Sequence, residues 1–348
     1  MSIDLNKIVK GLQKNYSACN VADNIVDTTD CVSTGNKAFD LISDGGVPWG
    51  YVAELLGLSA SGKSLFICQM ISDGQAKYKA IGLLIDRENA YTNQRGEQLG
   101  IDNSRLILAK PADVPIPLKA FEFIQETVGR IRKADANARK ADASHEDTYI
   151  VIAIDSIAAF GKDVGILKAD PGRKAKAIHE GLREMLSIID NRIVLLIANQ
   201  VTYKVGMLFG DPKTSTAGES VKYYSTIRFA LEDKRKIIDP KKGNEVVGNW
   251  IGVEVIKTRH GPCYRTCFLK HLYDTGIDYY SGYARLLVKR GYLKPTNEKE
   301  FNKFKQSTVT YMDGADKKEV SEFAMEKFVE EHTEFSFDSY PEYNEKDI

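Results

Sequence analysis

Eight residues constrain this chain more than any others. Gly57, Leu58, Ser59, Ala60, Ser61, Gly62, Lys63 and Ser64 satisfy G-x-x-x-x-G-K-[ST] without a mismatch. An apolar run, VAELL (52–56), leads in and a helix-like pattern, LFICQMI (65–71), leads out. A strand that turns through glycines into a helix aims backbone N–H groups and the positive helix end at an anion. The glycines let the backbone curl where a side chain would collide. In such a loop Lys63 reaches the β- and γ-phosphates of a nucleotide, and the Ser64 hydroxyl ligates Mg²⁺. A Gly-rich turn that merely happens to precede a helix is the bland alternative, and the flanking strand and helix count against it.

The rest of the chain carries the pattern such a loop needs. Tyr51–Leu56, Ala80–Ile85, Tyr149–Ile154 and Ile193–Ala198 are near-continuous apolar runs, as expected of strands buried on both faces of a parallel sheet. Three of them run into Asp86, Asp155 and Asn199, and ligands of open α/β sheets sit beyond the carboxyl ends of strands. Asp155 is therefore a candidate metal-orienting carboxylate. Of Asp86 and Glu88, both just past a predicted strand, Glu88 is the candidate for holding and polarising an attacking water. A loop carboxylate with a structural hydrogen bond is the plain alternative for either. Thr226–Leu231, Gly252–Ile256 and Thr266–Leu269 read as a later β-meander.

The expected organisation has three parts. Residues 1–30 hold an amphipathic helix over 3–15 and a linker. Residues 31–277 form the α/β core. Residues 278–348 form a small C-terminal α/β domain, with helices expected over Tyr280–Gly291 and Lys318–Glu331. The charged, Ala-rich stretch 130–147 reads as an exposed helix. Formal charge is zero, but residues 313–348 carry 12 Asp/Glu against 4 Lys/Arg, so a net −8 tail balances a +8 body. That fits a body that binds nucleic acid beside an acidic tail, and equally a solvated acidic end. Five scattered cysteines fit a reducing cytoplasm better than a disulfide framework. No secretory leader and no membrane-spanning run are expected.

Taken in order, these segments resemble the RecA family. The resemblance runs from about Cys31 to Gly282. It is carried by STGNKAFD (33–40), GGVPWGYVAELLG (45–57), the Gly57–Ser64 loop, IDREN (85–89), IAIDSIAAF (152–160), the long block ANQVTYKVGMLFGDPKTSTAGESVKYY (198–224) and VEVIKTRHGP (253–262). DTGIDYYSGYARLLVKRGYL (274–293) is similar to the end of the core in RecA and in phage recombinases. The resemblance implies a RecA-like core with a mostly parallel central sheet, an N-terminal arm that docks on the adjacent protomer, ATP and Mg²⁺ as cofactors, and a helical filament on single-stranded DNA that pairs it with double-stranded DNA. Single-strand-binding or mediator proteins are the further partners it implies. Gln200 matches the residue that senses the γ-phosphate, and Lys257 and Arg259 match a basic pair that reaches a neighbour's nucleotide. Residues 161–173 match the first DNA-binding loop, with Lys162, Lys168 and Arg173. Residues 202–217 match the second, with Lys204, Val205, Phe209 and Lys213. Lys222 and Tyr223 match subunit-interface positions.

Three departures stand out. Thr202 replaces a family arginine, Ala217 breaks a Gly-Gly pair, and Arg95 stands where a tyrosine stacks on adenine, although a guanidinium plane can also stack on a base. The leading expectation is a DNA-dependent ATPase that promotes strand exchange. The main alternative is a recombination accessory or mediator without strand exchange, kept open by Thr202 and Ala217. A hexameric helicase is disfavoured by the 198–224 block and the pair at 257 and 259. A DNA-binding protein with an inert fold is disfavoured by the intact set Lys63, Ser64, Glu88, Asp155 and Gln200.

Overall fold

A computed structural model describes residues 4–15, 30–160, 171–203, 213–215, 219–239, 243–304, 308–313 and 316–344, and for 171–173, 202–203, 213–215 and 323 the backbone alone. The order is α1 (Leu5–Leu12), β1 (Cys31–Val32), α2 (Lys37–Ile42), β2 (Val47–Pro48), β3 (Val52–Gly57), α3 (Lys63–Tyr78), β4 (Ile81–Asp86), α4 (Asn93–Gln98), β5 (Leu106–Ala109), α5 (Pro117–Ala141) and β6 (Ile150–Asp155). Then come α6 (Pro171–Met185), β7 (Ile193–Tyr203), β8 (Lys213–Ser215), α7 (Glu219–Tyr224), β9 (Ile227–Asp239), β10 (Glu245–Lys257), β11 (Thr266–Leu272) and β12 (Gly276–Ile277). The chain closes with α8 (Tyr283–Lys289), β13 (Lys294–Pro295), α9 (Glu298–Asn302), β14 (Thr308–Asp313), β15 (Asp316–Ser321) and α10 (Met325–Glu331).

One large sheet dominates, in the order β12-β11-β10-β9-β3-β7-β6-β4-β5, with β8 paired to β7. Strands β9, β3, β7, β6, β4 and β5 run parallel. The meander β9 to β12 is antiparallel and longer than its sequence signal. The apolar runs alternate between two cores as pleated strands must. Val151, Ala153, Val194 and Leu196 face one side, and Ile150, Ile152, Ile154, Ile193, Leu195 and Ile197 the other. Burial on both faces explains why these strands show no polar alternation.

The central strands also share a buried polar network. Glu54, in the middle of β3, has no solvent exposure. Its carboxylate is in close contact with the Arg228 guanidinium on β9. It also accepts from Asn199 Nδ2 on β7 at 2.7 Å, and Asn199 Oδ1 accepts from the Gln200 N–H at 2.9 Å. The chain of contacts spans three adjacent strands and ends on the backbone of a candidate site residue.

Residues 130–141 form the second half of the 25-residue α5, yet this stretch is not simply exposed. Asp135 is 3% exposed. It accepts from the Thr148 N–H at 3.0 Å, the Thr148 hydroxyl at 2.7 Å and Arg132 Nη1 at 3.1 Å, with His145 Nε2 at 3.1 Å. Burial alone would raise its pKa; the hydrogen bonds from Thr148, His145 and Arg132 outweigh it and hold the carboxyl down at about 2.

The C-terminal elements pack on the sheet's β10–β11 end. Arg285 on α8 is buried, and its guanidinium lies 4.5 Å from the Trp250 ring and 4.1 Å from that of Phe301. Phe301, Val309, Tyr311, Met325 and Phe328 belong to the same apolar core as β3 and α3. The helix expected over Lys318–Glu331 is instead strand β15 to Ser321 followed by α10 from Met325. The reason is the partner strand β14, which pairs in register from Thr308↔Ser321 to Asp313↔Asp316. Among the described residues no helix is long and apolar enough to cross a membrane.

Two stability outcomes follow. Asp135 is depressed below its unfolded value, so its contribution is complete above about pH 4 and is lost as pH falls toward 2; the size is on the order of 2 kcal/mol. Urea titrations at several pH values are expected to show that dependence in the parent and not in D135N. In the sheet, R228M strands the Glu54 carboxylate and is expected to lose about 3–5 kcal/mol, whereas E54L/R228M recovers most of it. An R228M loss below about 1 kcal/mol in urea unfolding would show that the pair contributes little.

Candidate functional site

The register of the parallel strands assembles the site. Gly57 lies opposite Gln200, and Asp86 opposite Asp155. All four are at or near the carboxyl ends of their strands, where the helix N-terminus of α3 also points. A Cβ at Gly57 would come 2.3 Å from Ser61 Oγ and 2.6 Å from Leu231 O. Gly62, the N-cap of α3, has φ +92, and a Cβ there would lie 2.8 Å from Ile251. Both motif glycines are thus required by space, and Gly62 by conformation as well.

Lys63 is buried within the loop it serves. Its Nζ donates to Leu58 O at 2.6 Å, Gly57 O at 3.1 Å and Ser61 Oγ at 3.4 Å. Burial pushes its pKa down, and the carboxylates of Asp155 and Glu88 work against that shift. Asp155 shows the converse. Burial pushes its carboxyl up, Glu88 and Asp86 add to the rise, and the Ser64 hydroxyl and Lys63 oppose it. Asp155 and Glu88 act on the one lysine, and Asp86 adds its charge beside Asp155, which leaves an excess of negative charge that a cation relieves. The Ser64 hydroxyl and Asp155 carboxylate are hard oxygen donors beside a phosphate cradle, a set that fits Mg²⁺ shared with phosphates and water.

The acid that ends β4 and the one that follows it have different jobs. Asp86 is buried and accepts from the N–H groups of Tyr91 at 2.9 Å and Ala90 at 3.2 Å, so it builds the turn. Glu88 is exposed on that turn. Its Oε1 accepts from Ser156 Oγ at 2.7 Å and Gln200 Nε2 at 3.3 Å. Ser156 follows Asp155 through a cis peptide bond. The ends of β4, β6 and β7 therefore meet at one carboxylate.

Lys257 and Arg259 are not brought to this cluster. Lys257 pairs with Arg228, which pairs with Glu54, three residues before Gly57; that is about 10 Å back along the strand direction. Its Nζ donates to the carbonyls of Ser225 at 2.6 Å, Lys222 at 2.9 Å and Tyr223 at 3.2 Å, closing the C-terminal end of α7. Burial lowers its pKa, and the nearby Arg259 and Arg228 charges add to this. Arg259 is exposed, as is Tyr223 at 70%.

Arg95 lies on α4, with Nη1 3.3 Å from Gln98 Oε1. Burial, with the Arg95 charge next, depresses the pKa of His271. The His271 ring meets Tyr273 edge-on with centroids 5.5 Å apart. This aromatic pair at the end of β11 was passed over because nothing local in the sequence brings it to α4. Glu54 and Arg228 were passed over too, although a lone acid within VAELL and a lone base within TIRFAL were visible signals.

Lys162, Lys168, Lys204, Val205, Phe209 and Ala217 lie outside the described residues, as do the side chains of Arg173, Thr202 and Lys213. The backbone of Lys213–Ser215 pairs antiparallel with Val201–Tyr203, beginning one residue after Gln200.

Comparison with known proteins agrees with this geometry. The family model of the RecA N-terminal domain matches residues 1–278. Protein RecA of Chlorobaculum tepidum is 30% identical over 300 residues, covering 83% of this chain and 80% of that protein. Protein RecA of Chloroherpeton thalassium is 28% identical over 299 residues, covering 83% and 77%. Protein RecA of Thermotoga maritima is 27% identical over 284 residues, covering 79% and 73%. With four fifths of its length matched and the phosphate loop, strand-end carboxylates and Gln200 assembled at the carboxyl ends of neighbouring strands, the chain belongs to the RecA family.

Proposed function

We propose that this protein is an ATP-dependent recombinase that assembles head to tail on single-stranded DNA and pairs it with a homologous duplex in the cytoplasm. The observation that carries the reading is the contact between Glu88 and Gln200. Gln200 is one residue from the ladder that frames 204–212. A single hydrogen bond thus links the carboxylate beside the phosphate loop to the segment that resembles the second DNA-binding loop.

In the proposed reaction the loop Gly57–Ser64 binds the ATP phosphates, and Lys63 exchanges its loop carbonyls for β- and γ-phosphate oxygens. Ser64 and Asp155 hold Mg²⁺, which when bound offsets charge on the phosphates. Glu88 orients the attacking water and takes up its proton. Gln200 responds to the γ-phosphate and biases the DNA loops toward the binding state, which is lost after hydrolysis. Arg95 stacks on the base. Lys162, Lys168, Arg173, Lys204 and Lys213 supply salt-sensitive phosphate contacts, Val205 wedges between bases, and Phe209 is a further DNA-binding residue.

Two surfaces support head-to-tail assembly. Arg259 and Lys257 sit toward the opposite end of the sheet from their own phosphate loop, so they serve a neighbour's nucleotide, with exposed Arg259 leading. The apolar side chains Leu5, Ile8 and Leu12 of α1 are 58%, 49% and 42% exposed, a face that an adjacent protomer covers. Contacts of this kind that do not close give helical filaments.

The test is ATP hydrolysis with and without single-stranded DNA at low and moderate salt. Stimulation by single strands that fades as salt rises is expected, followed by strand exchange in a joint-molecule assay. K63A is expected to abolish turnover. E88Q is expected to slow it by about two orders of magnitude while ATP-dependent DNA binding persists; E88Q turning over at the parent rate would remove Glu88 from the mechanism. Hydrolysis indifferent to DNA would favour the accessory reading, with Thr202 and Ala217 as its leading cause.

A further inference from the structure

Arg87 lies between Asp86 and Glu88 in sequence, yet its side chain leaves the site. Its backbone N–H donates to Asp155 O at 2.6 Å. Its guanidinium donates to three carbonyls of the segment after β5. Nη1 reaches Val114 O at 2.8 Å and Pro111 O at 3.0 Å, and Nη2 reaches Pro115 O at 3.3 Å. The same group lies over the Phe160 ring, 4.8 Å from its centroid. Among the described residues no carboxylate pairs with Arg87, and its Nε has no hydrogen-bond partner.

A second cation shares this place. Lys174, on α6, donates to Ala158 O at 2.7 Å. Burial depresses the pKa of both groups, and the Arg87 charge depresses that of Lys174 further. A half-buried guanidinium held by carbonyls and a ring works through its planar shape, which lysine does not reproduce.

The placement is what matters. Glu88 follows Arg87 directly and faces Ser156 and Gln200. Phe160 is buried and immediately precedes residues 161–173, the segment that resembles the first DNA-binding loop. One turn therefore presents a site carboxylate on one side and a clamp on the loop entry on the other.

We propose that Arg87 is a positioning residue that couples Glu88 to Phe160, so that the acceleration of ATP hydrolysis by single-stranded DNA runs through the Arg87–Phe160 stack. The proposal rests on the recombinase reading and adds a route the candidate site residues do not include.

The experiment is a double-mutant cycle on the full chain: parent, R87Q, F160L and R87Q/F160L, with R87K beside them. Rates are measured over a range of ATP concentrations, with and without an oligothymidylate. Each single variant is expected to keep the DNA-free rate and the KM for ATP within about twofold and to lose at least about fivefold in the DNA-stimulated kcat. The double variant is expected to fall no further than the worse single, as coupled residues do. R87K is expected to fail like R87Q. Full stimulation in R87Q or R87K, equal loss with and without DNA, or additive losses in the double variant would each overturn the proposal. Should R87Q not fold, R87K and R87K/F160L complete the same cycle. A parent whose rate ignores single strands would sink the recombinase reading and this coupling together; a stimulated parent with unaffected variants sinks the coupling alone.

Discussion

The fully buried carboxylate of Glu54 is the interaction on which the rest of the sheet's working end depends. It faces Arg228 from one neighbouring strand and Asn199 from the other, and Asn199 in turn fixes the backbone N–H of Gln200. Taking a carboxylate and a guanidinium out of water costs several kcal/mol, which their attraction repays only with good geometry and further hydrogen bonds. An apolar pair in the same place would hold the strands together as well. It would discriminate less sharply between registers two residues apart, because such a slip keeps each apolar side chain on its own face of the sheet. The polar network fixes that register, and the register is what sets Gly57 opposite Gln200.

The electrostatics at the other end of those strands follow from the same crowding. Asp86, Glu88 and Asp155 converge because the neighbouring strands β4 and β6 end there. Asp86 is absorbed by the turn it accepts hydrogen bonds for, so its charge is already partly offset. Asp155 is pushed toward its neutral form by burial and by the other two acids, and Lys63 is pushed toward neutrality by its own burial. A divalent cation and a polyphosphate arriving together reverse both tendencies. The cation favours the Asp155 carboxylate and the phosphates favour the Lys63 ammonium. In the proposed reaction the two would therefore favour each other's binding through charge.

Much of this was legible in the sequence, for definite reasons. The parallel core announced itself because strands buried on both faces leave no room for polar alternation, and the phosphate loop because its spacing is imposed by backbone curvature. The carboxylates were found because strand ends are where polar residues reappear. What stayed hidden depends on pairing over long sequence separations. Asp135 within a charged helix looked solvated, and only the return of Thr148 and His145 shows why it is buried. Lys318–Ser321 looked helical because its partner strand is invisible to local periodicity. Lys257 matches by resemblance a residue that reaches a neighbour's nucleotide; that it also closes α7 through three carbonyls appears only when β10 is laid against β9.

That last point bears on how a protein of this family can be both a rigid fold and a responsive one. The phosphate loop and the basic pair stand at different depths of a single sheet, separated by strands whose register is locked by Glu54. The buried pair lies level with Lys257 and three residues before Gly57, so it ties together the strands that carry both. If both are to act on one nucleotide, the second copy must supply one of them, and the rigidity of the sheet then becomes the reason assembly is required. A flexible hinge between the two ends would let a lone protomer close on its own ATP and hydrolyse it off DNA. In the proposed filament a stiff sheet prevents this, and the nucleotide is completed only where protomers are held side by side on a strand.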